Sequence, residues 1–209
     1  MSFLLKIFIE LEDVSRRENK NMGQRSQIFV RYEKNDKKYL IARYYQWNYG
    51  ERMISRIRYS IEWLKEMWKY PWEVERKLYR ILDTNFDMVD CQISSDIIKE
   101  YEDDDWGDWS LNDYLFKYQD NNDGKCFINI MPNGTIKYIF LDYKNEKYMD
   151  AKEYMKWDGK DNWDTPTEYM SQEDIDICKK NVKQIEKMAI KMTDDEVKEF
   201  MEFDYSYLL

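Results

Sequence analysis

Hydrophobic residues follow a strand-like spacing over two neighbouring stretches of the chain. Ile28, Val30 and Tyr32 lie two positions apart, the period that places side chains on one face of a strand. Residues 35–38 (NDKK) supply a turn, and residues 39–47 are rich in β-branched and aromatic side chains. Strand-like runs on either side of a turn predict a β-hairpin.

The apolar spacing changes to that of a helix after Gly50. Large apolar residues then recur three or four positions apart, which lines one face of a long helix. Pro71 ends this helix or begins a second one, whose apolar face lies within residues 74–82. The residues that define the first face are Ile54, Ile57, Ile61, Leu64 and Trp68.

Turn and cap residues organise the middle of the chain. Ser94 and Ser95 are expected to cap a short helix that runs into an acidic stretch. Turn tripeptides at 122–124 (NDG) and 132–134 (PNG) divide residues 113–143 into an antiparallel meander. The following residues carry little pattern beyond one helical turn around Ala151 to Trp157.

Two capping boxes predict the C-terminal helices. Ser171 with Asp174 opens one helix, and Thr193 with Glu196 opens another. The predicted fold class is α+β, with an N-terminal β-hairpin followed by long helices, an antiparallel meander and two C-terminal helices.

The composition excludes several kinds of catalytic site. The chain of 209 residues contains no histidine, which excludes nucleophiles that need a His base and nearly all zinc hydrolase sites. Cys91, Cys126 and Cys178 form no CxxC pair, which argues against a disulfide framework and a thiolate metal site. The apolar run at residues 3–9 is too short to span a bilayer and lacks a signal-peptide cleavage site. We expect a cytoplasmic protein, with no cofactor and no membrane partner.

Charge is distributed unevenly along the chain. Residues 1–90 hold 18 Lys and Arg against 14 Asp and Glu, whereas residues 91–209 hold 15 against 28. We expect residues 1–21 to be a leader or an extended start and residues 22–209 to form a single domain. This domain divides into an Arg-rich half (22–90) and an acidic half. The two halves should bind partners of opposite charge. Alternatively, the acidic residues form a solvated surface without a partner, which gives the same net charge.

The junction between the second strand and the long helix gathers several polar side-chain types. Free backbone N–H groups at a helix N-terminus favour an anion, which Arg52 and Arg56, one turn apart, can help to hold. An asparagine cap with Glu51 in the first turn explains the same residues without a ligand. The candidate binding residues here are Gln46, Trp47, Asn48, Tyr49, Glu51, Arg52 and Arg56.

An aromatic and basic mixture surrounds this junction. Such a mixture can bind backbone phosphates and stack bases, so RNA contact through the Arg-rich half is one alternative. Strand alternation sends about half of these side chains to the opposite face, and no common RNA-binding motif organises them. The residues are Arg25, Arg31, Arg43, Arg52, Arg56 and Arg58, with Tyr39, Tyr44, Tyr45 and Tyr49.

An acidic stretch in the second half carries two tryptophans. Its carboxylates can chelate Mg²⁺ or Ca²⁺, as can Asp120 with Asp123, but neither group has the EF-hand spacing, so no metal site is predicted. The remaining alternatives are tryptophans folded into the core and tryptophans that anchor the chain in a basic groove of another protein. The stretch comprises Asp103, Asp104, Asp105, Trp106, Asp108 and Trp109.

Residues 22–28 (MGQRSQI) and 41–54 (IARYYQWNYGERMI) resemble a group of small proteins from phages and mobile elements of Gram-positive bacteria. Members of this group begin with a Met-Gly-x-Arg-Ser segment and carry a strand that ends in a Gln-Trp-Asn or Gln-Trp-Asp turn. The similarity covers about residues 22–70. Some members look like anti-CRISPR proteins that act on Cas9, and the resemblance implies no catalytic residue.

The resemblance and the charge pattern lead to one functional expectation and two alternatives. We expect a binding protein that inhibits a CRISPR-Cas9 ribonucleoprotein by engaging the protein or its guide RNA, since an acidic, Trp-bearing protein can occupy the positively charged channels of Cas9. One alternative is a histidine-free nuclease for RNA or DNA that uses Arg25, Gln46, Glu51 and Arg52. The other is a phage structural or regulatory module.

Overall fold

A computed structural model describes residues 25–46, 50–67, 82, 93–103, 106–118, 122–157, 165–166 and 171–209 of the chain. The leader predicted for residues 1–21 lies outside these residues. Most of the second helix predicted after Pro71 also lies outside them, although Leu82 is described and is helical and buried.

The predicted β-hairpin is confirmed. β1 (Arg25–Lys34) pairs antiparallel with β2 (Lys37–Gln46) along its whole length. The two residues between the strands, Asn35 and Asp36, have positive φ angles of 52° and 59°. Two such residues form a type I′ turn, whose twist matches that of the flanking strands, and Asn and Asp adopt this conformation more readily than most residues.

The hairpin is part of a mixed sheet. The other strands are β3 (Ile93–Asp96), β4 (Lys125–Ile130), β5 (Ile136–Leu141), β6 (Tyr148–Met149) and β7 (Ile190–Lys191). Their order is β3-β2-β1-β4-β5-β6, and β7 pairs with β5. β1 and β4 are parallel, as are β5 and β7, and the remaining pairs are antiparallel. β4, β5 and β6 form the predicted meander.

Helices cover both faces of the sheet. They are α1 (Gly50–Met67), α2 (Ile97–Asp103), α3 (Leu111–Asp113), α4 (Ala151–Trp157), α5 (Gln172–Met188) and α6 (Asp194–Glu202), with a π-helix (Tyr114–Tyr118) directly after α3 and a 3-10 turn (Ser206–Leu208). α1, α4 and α5 pack on one face, and α2, α3, the π-helix and α6 pack on the other. The fold class is α+β, as predicted. None of the helices in the described ranges is both long and apolar enough to cross a membrane.

Successive strand residues enter two different hydrophobic clusters. On β1, Ile28 and Val30 belong to the cluster beneath α1 and α5, whereas Phe29 belongs to the cluster beneath the π-helix and α6. All three side chains are fully buried. Strands covered on both faces carry continuous apolar runs, which explains the Ile-Phe-Val sequence at this point.

The two capping boxes at the C-terminal helices are confirmed. The Ser171 hydroxyl accepts a hydrogen bond from the Asp174 backbone N–H, and the Asp174 carboxylate accepts one from the Ser171 backbone N–H. Thr193 and Glu196 make the same reciprocal contacts at the start of α6. Each box satisfies backbone donors that have no partner within the helix.

Two local predictions differ from the structure. Ser94 and Ser95 lie in β3 and pair with β2 instead of capping a helix. The helix after them is capped by Asp96, whose Oδ1 accepts from the backbone N–H groups of residues 98 and 99. Residues 113–118, predicted to begin the meander, are helical because Ser110 caps α3 and the following residues bury their apolar side chains against the sheet.

Candidate interaction surface

A tight turn brings the two tryptophans of the acidic stretch close together. The Trp109 backbone N–H donates to the Trp106 carbonyl oxygen at 3.2 Å. Gly107, within this turn, has a φ of +58°, a conformation that glycine adopts without steric strain. A Cβ atom at this position would meet no atom within 4 Å, so the turn projects into open space there.

Five aromatic rings form a continuous cluster around this turn. The Tyr118 ring centroid lies 4.7 Å from that of Trp106, 5.4 Å from that of Trp109 and 5.2 Å from that of Tyr114. Tyr114 also contacts Trp106 at 4.4 Å and Tyr101 at 5.4 Å. The Tyr101 hydroxyl donates to the Trp109 carbonyl oxygen at 2.8 Å and so ties the turn to α2. We call these five residues, together with Glu102, Asp103 and Asp108, the aromatic–acidic surface.

The two tryptophans differ in burial. Trp106 is partly buried against the hydrophobic cluster on this face of the sheet, and its Nε1–H donates to the Glu100 carbonyl oxygen at 3.4 Å. Trp109 and Tyr118 are 43% and 46% exposed. Trp106 therefore serves packing, as the core alternative predicts, whereas Trp109 and Tyr118 present apolar rings to solvent, as an interaction surface requires.

Acidic side chains outnumber basic ones around these rings. Residues 100–118 contain seven Asp and Glu and one Lys. Lys117 forms an ion pair with Asp113 at 2.5 Å, and this contact holds the pKa of the Asp113 carboxyl below its usual value. Asp103 and Asp108 are exposed, and the predicted site residues Asp104 and Asp105 lie outside the described residues. The surface therefore carries a net negative charge at neutral pH.

Buried polar contacts position the π-helix that carries two of the tyrosines. The Phe116 carbonyl oxygen accepts hydrogen bonds from Lys125 Nζ at 2.5 Å and from Asn145 Nδ2 at 2.9 Å. The Asn145 Oδ1 accepts from the same ammonium group at 2.7 Å. Burial lowers the pKa of Lys125 to about 8. A cationic donor at the carbonyl end of a helical segment interacts favourably with the helix dipole, so Lys125 and Asn145 help to hold this segment in place.

Two arginines of the predicted Arg-rich site take part in internal contacts. Arg56 is fully buried; its guanidinium carbon lies 4.5 Å from the centroid of the Tyr45 ring, and Nη1 donates to the Leu82 carbonyl oxygen at 2.5 Å. Arg43 is also buried, and its Nη2 donates to the Ser94 hydroxyl at 2.8 Å. These contacts join β2 to α1 and β3, and we assign both arginines to the packing of this face.

The strand-to-helix junction itself is described only in part. Arg25 and Gln46 are directly opposite each other in the hairpin register, and both are partly buried. Glu51 and Arg52 lie in the first turn of α1. The anion site proposed for this junction stays a prediction, because three of its candidates lie outside the described residues: Trp47, Asn48 and Tyr49.

Arg31, one of the basic residues singled out in the sequence, lies in a second charged region near the turn of the hairpin, and its pairing with α6 has no signal in the sequence. Glu199 on α6 bridges Arg31 at 2.7 Å and Lys38 at 2.6 Å. Burial opposes the ionisation of Glu199, but the hydrogen bonds from Arg31 and Lys38 outweigh it and lower the pKa of this carboxyl. A cavity of about 150 Å³ adjoins these residues. These ion pairs connect α6 to the hairpin.

The sequence does not single out Tyr101, Tyr114 and Tyr118 as parts of the site. The spacing of Tyr114 and Tyr118 is the available signal, since residues four apart share one face of a helix. The assignment of residues 113–143 to a meander hides that signal.

Carboxylates and thiols are the main metal-ligating side chains that a chain without histidine can offer. Within the part of the chain that the structure describes, no three of them form a group that could hold a metal ion. Comparison of the chain with protein-family models, with curated proteins and with solved structures finds no match.

Proposed function

We propose that this protein inhibits a host-defence ribonucleoprotein by binding a basic protein surface through its aromatic–acidic surface, with Cas9 and its guide RNA as the specific target. The observation that carries the proposal is the pair of half-exposed rings, Trp109 and Tyr118, in a stretch of seven acidic residues and one lysine. The choice of Cas9 follows from the resemblance of residues 22–70 to proteins of phages and mobile elements.

The residue types of this surface suit recognition of a basic protein. Trp and Tyr are enriched among the residues that dominate binding energy at interfaces, because they contribute large contact areas with few rotatable bonds. Carboxylates around them complement a positive surface and speed its encounter. Cas9 carries such surfaces in the channels that hold its nucleic acids. The same carboxylates repel a phosphate backbone, so the surface favours the protein over the RNA.

The Arg-rich half supports RNA contact less directly. Arg31, Arg43 and Arg56 are three of the six arginines that suggest such contact in the sequence, and all three are buried and donate hydrogen bonds inside the protein. A guanidinium group used in packing is not displayed to a nucleic acid. Protein contact is therefore the mode of inhibition that we propose.

Titration of the protein into a Cas9–guide complex during cleavage of target DNA tests the proposal. Binding predicts that inhibition saturates near a one-to-one ratio and that the guide RNA keeps its full length. Trp109→Ala should weaken inhibition by about 2 kcal/mol, roughly 30-fold, if Trp109 is an energetic anchor. Trp63→Ala is the matched control and should inhibit like the parent, because Trp63 on α1 is similarly exposed, at 45%, and lies outside the aromatic–acidic surface.

Three results would contradict the proposal in different ways. No inhibition in large excess would exclude Cas9 as the target. Equal inhibition by both tryptophan variants would show that the aromatic–acidic surface is not used. Shortening of the guide RNA by substoichiometric protein, abolished by Glu51→Gln, would establish the nuclease alternative, since a general base or metal ligand must be a carboxylate.

A further inference from the structure

We propose that the aromatic–acidic surface selects arginine over lysine in its protein partner by stacking guanidinium groups on Trp109 and Tyr118. The inference rests on the proposed function, because it names the chemistry of the basic partner. It is carried by the geometry of the two exposed rings and by the unequal charge around them.

The Trp109 and Tyr118 rings meet edge to face. Their centroids are 5.4 Å apart and their planes are inclined by 77°. Tyr114 also stacks on Tyr118, with centroids 5.2 Å apart and planes inclined by 22°, so one face of Tyr118 is already covered. Among the rings of the described residues Trp109 contacts only Tyr118, so at least one face of the indole has no ring against it. The exposure of both residues is close to half. A ring face carries the negative side of the aromatic quadrupole and attracts a cation.

Exposed carboxylates flank these rings along the chain and can assist a stacked guanidinium. Asp108 directly precedes Trp109, and Asp103 ends α2; both are exposed. A guanidinium is planar and weakly hydrated, so it can stack on a ring while its edge donates hydrogen bonds to a carboxylate. The ammonium group of lysine is compact and strongly hydrated, and gains less from the same ring. Lys117, the single basic residue of this stretch, pairs with Asp113.

The rings are held before a partner arrives. The Tyr101 hydroxyl fixes the Trp109 backbone, and Lys125 and Asn145 both donate to the carbonyl of Phe116 within the π-helix. Groups that are already ordered lose less conformational entropy on binding. A partner arginine would therefore meet a preformed surface.

Two peptides of equal length and charge, one with arginines and one with lysines spaced by Gly and Ser, test the inference. Each is titrated against the full chain by calorimetry. We expect the arginine peptide to bind the parent about two- to three-fold more tightly, which is part of the roughly two- to five-fold gain from a cation–π contact at an exposed site, because lysine makes a weaker contact with the same ring. Trp109→Leu and Tyr118→Leu should each reduce that preference, while Trp63→Leu should preserve it.

Equal affinity of the parent for the two peptides would overturn the inference, and this comparison needs no variant to fold. A preference that survives both Trp109→Leu and Tyr118→Leu would overturn it as well. The peptide result is independent of Cas9. Equal peptide affinities together with Trp109-dependent inhibition would discard arginine selectivity and keep the proposed function, whereas arginine selectivity without inhibition of Cas9 would do the reverse.

Discussion

Arg56 illustrates how single residues with functional potential are used for packing in this protein. Its side chain is fully buried, stacks on Tyr45 and donates to the Leu82 carbonyl oxygen, which also accepts the Tyr45 hydroxyl at 2.9 Å. A guanidinium removed from water is stable only where hydrogen bonds and neighbouring groups compensate the lost hydration. These contacts connect α1, β2 and Leu82 in one buried polar cluster.

Replacing Arg56 should therefore change stability more than binding. We expect Arg56→Ala to lower the free energy of unfolding by about 3 kcal/mol, because the variant loses buried contacts and leaves a cavity. Arg58→Ala is the matched control two positions away. Arg58 makes a partly exposed ion pair with Glu62, and such pairs contribute about 1 kcal/mol or less. Urea unfolding checks both. Equal stability of the two variants, with inhibition lost only in Arg56→Ala, would place Arg56 in the binding site.

At the scale of elements, Asn112 joins the segment that carries the tyrosines to the end of α6. Its Nδ2 donates to the Met201 carbonyl oxygen at 2.9 Å and to that of Phe203 at 2.8 Å. Carbonyl groups in the last turn of a helix have no partner within the helix. The Asn112 amide therefore caps α6 from another element.

Replacing the Asn112 amide with a carboxylate should weaken its contact with the end of α6. Asn112→Asp removes the donor and places a negative charge beside carbonyl oxygens at the negative end of a helix, so we expect a loss of about 2 kcal/mol in the free energy of unfolding at neutral pH. Asn133→Asp is the control, because the Asn133 side chain only accepts a hydrogen bond, from the Thr135 N–H in an exposed turn. Chemical denaturation of both variants checks this, and equal losses would show that Asn112 does not act as a cap.

Structural features that depend on interactions between residues close together in the chain were predictable from the sequence. The turn at Asn35 and Asp36 and the capping box of Thr193 and Glu196 depend on neighbours up to three positions away. The strands β3 and β7 have four and two residues and exist because β2 and β5 offer free edges, which no local pattern reveals.

The candidate site also contains residues that the sequence indicates and residues that only the structure reveals. Trp109 stands out because two tryptophans in an acidic stretch are visible in the sequence. Its neighbour Tyr118 lies on a helix that Ser110 caps and that packs on the core, so the assignment of residues 113–143 to a meander conceals it. The contact between Arg31 and Glu199 joins residues 168 positions apart. Such a pair is fixed by the sheet topology and by the packing of α6, and both appear only in three dimensions.

At the scale of the whole molecule, covering both faces of the sheet buries groups that titrate. Burial raises the pKa of the Cys126 thiol and of the Tyr138 and Tyr205 hydroxyls, and it lowers the pKa of the Lys125 ammonium to about 8. The buried tyrosines stay neutral when unfolded tyrosines ionise near pH 10, so they stabilise the fold up to that pH and progressively less above it. Stability should therefore depend on pH on the alkaline side of neutrality.

Lys125 should make the fold more stable as the pH rises above about 8. Its pKa is about 8 in the folded protein and 10.5 in its ordinary state, so between these values the unfolded chain holds a proton that the folded protein has released. The free energy of unfolding increases with pH wherever the unfolded state binds more protons. From about pH 7.5 to about pH 9.5 this contribution is about 2 kcal/mol. Cys126 acts in the opposite direction, because its thiol ionises more easily in the unfolded chain.

Comparison of the parent with Lys125→Met isolates this contribution, since Cys126 and the tyrosines affect both proteins alike. Methionine keeps most of the side-chain length without the charge. Between about pH 7.5 and about pH 9.5, we expect the free energy of unfolding of the parent to increase by about 2 kcal/mol relative to that of Lys125→Met. Urea denaturation at each pH measures this change. The parent gains stability with rising pH because burying the charged ammonium costs free energy, and this cost disappears once the ammonium loses its proton. Parallel pH profiles for the two proteins would show that the ammonium is not destabilised by burial, and that its hydrogen bonds to Phe116 and Asn145 compensate fully for the lost hydration.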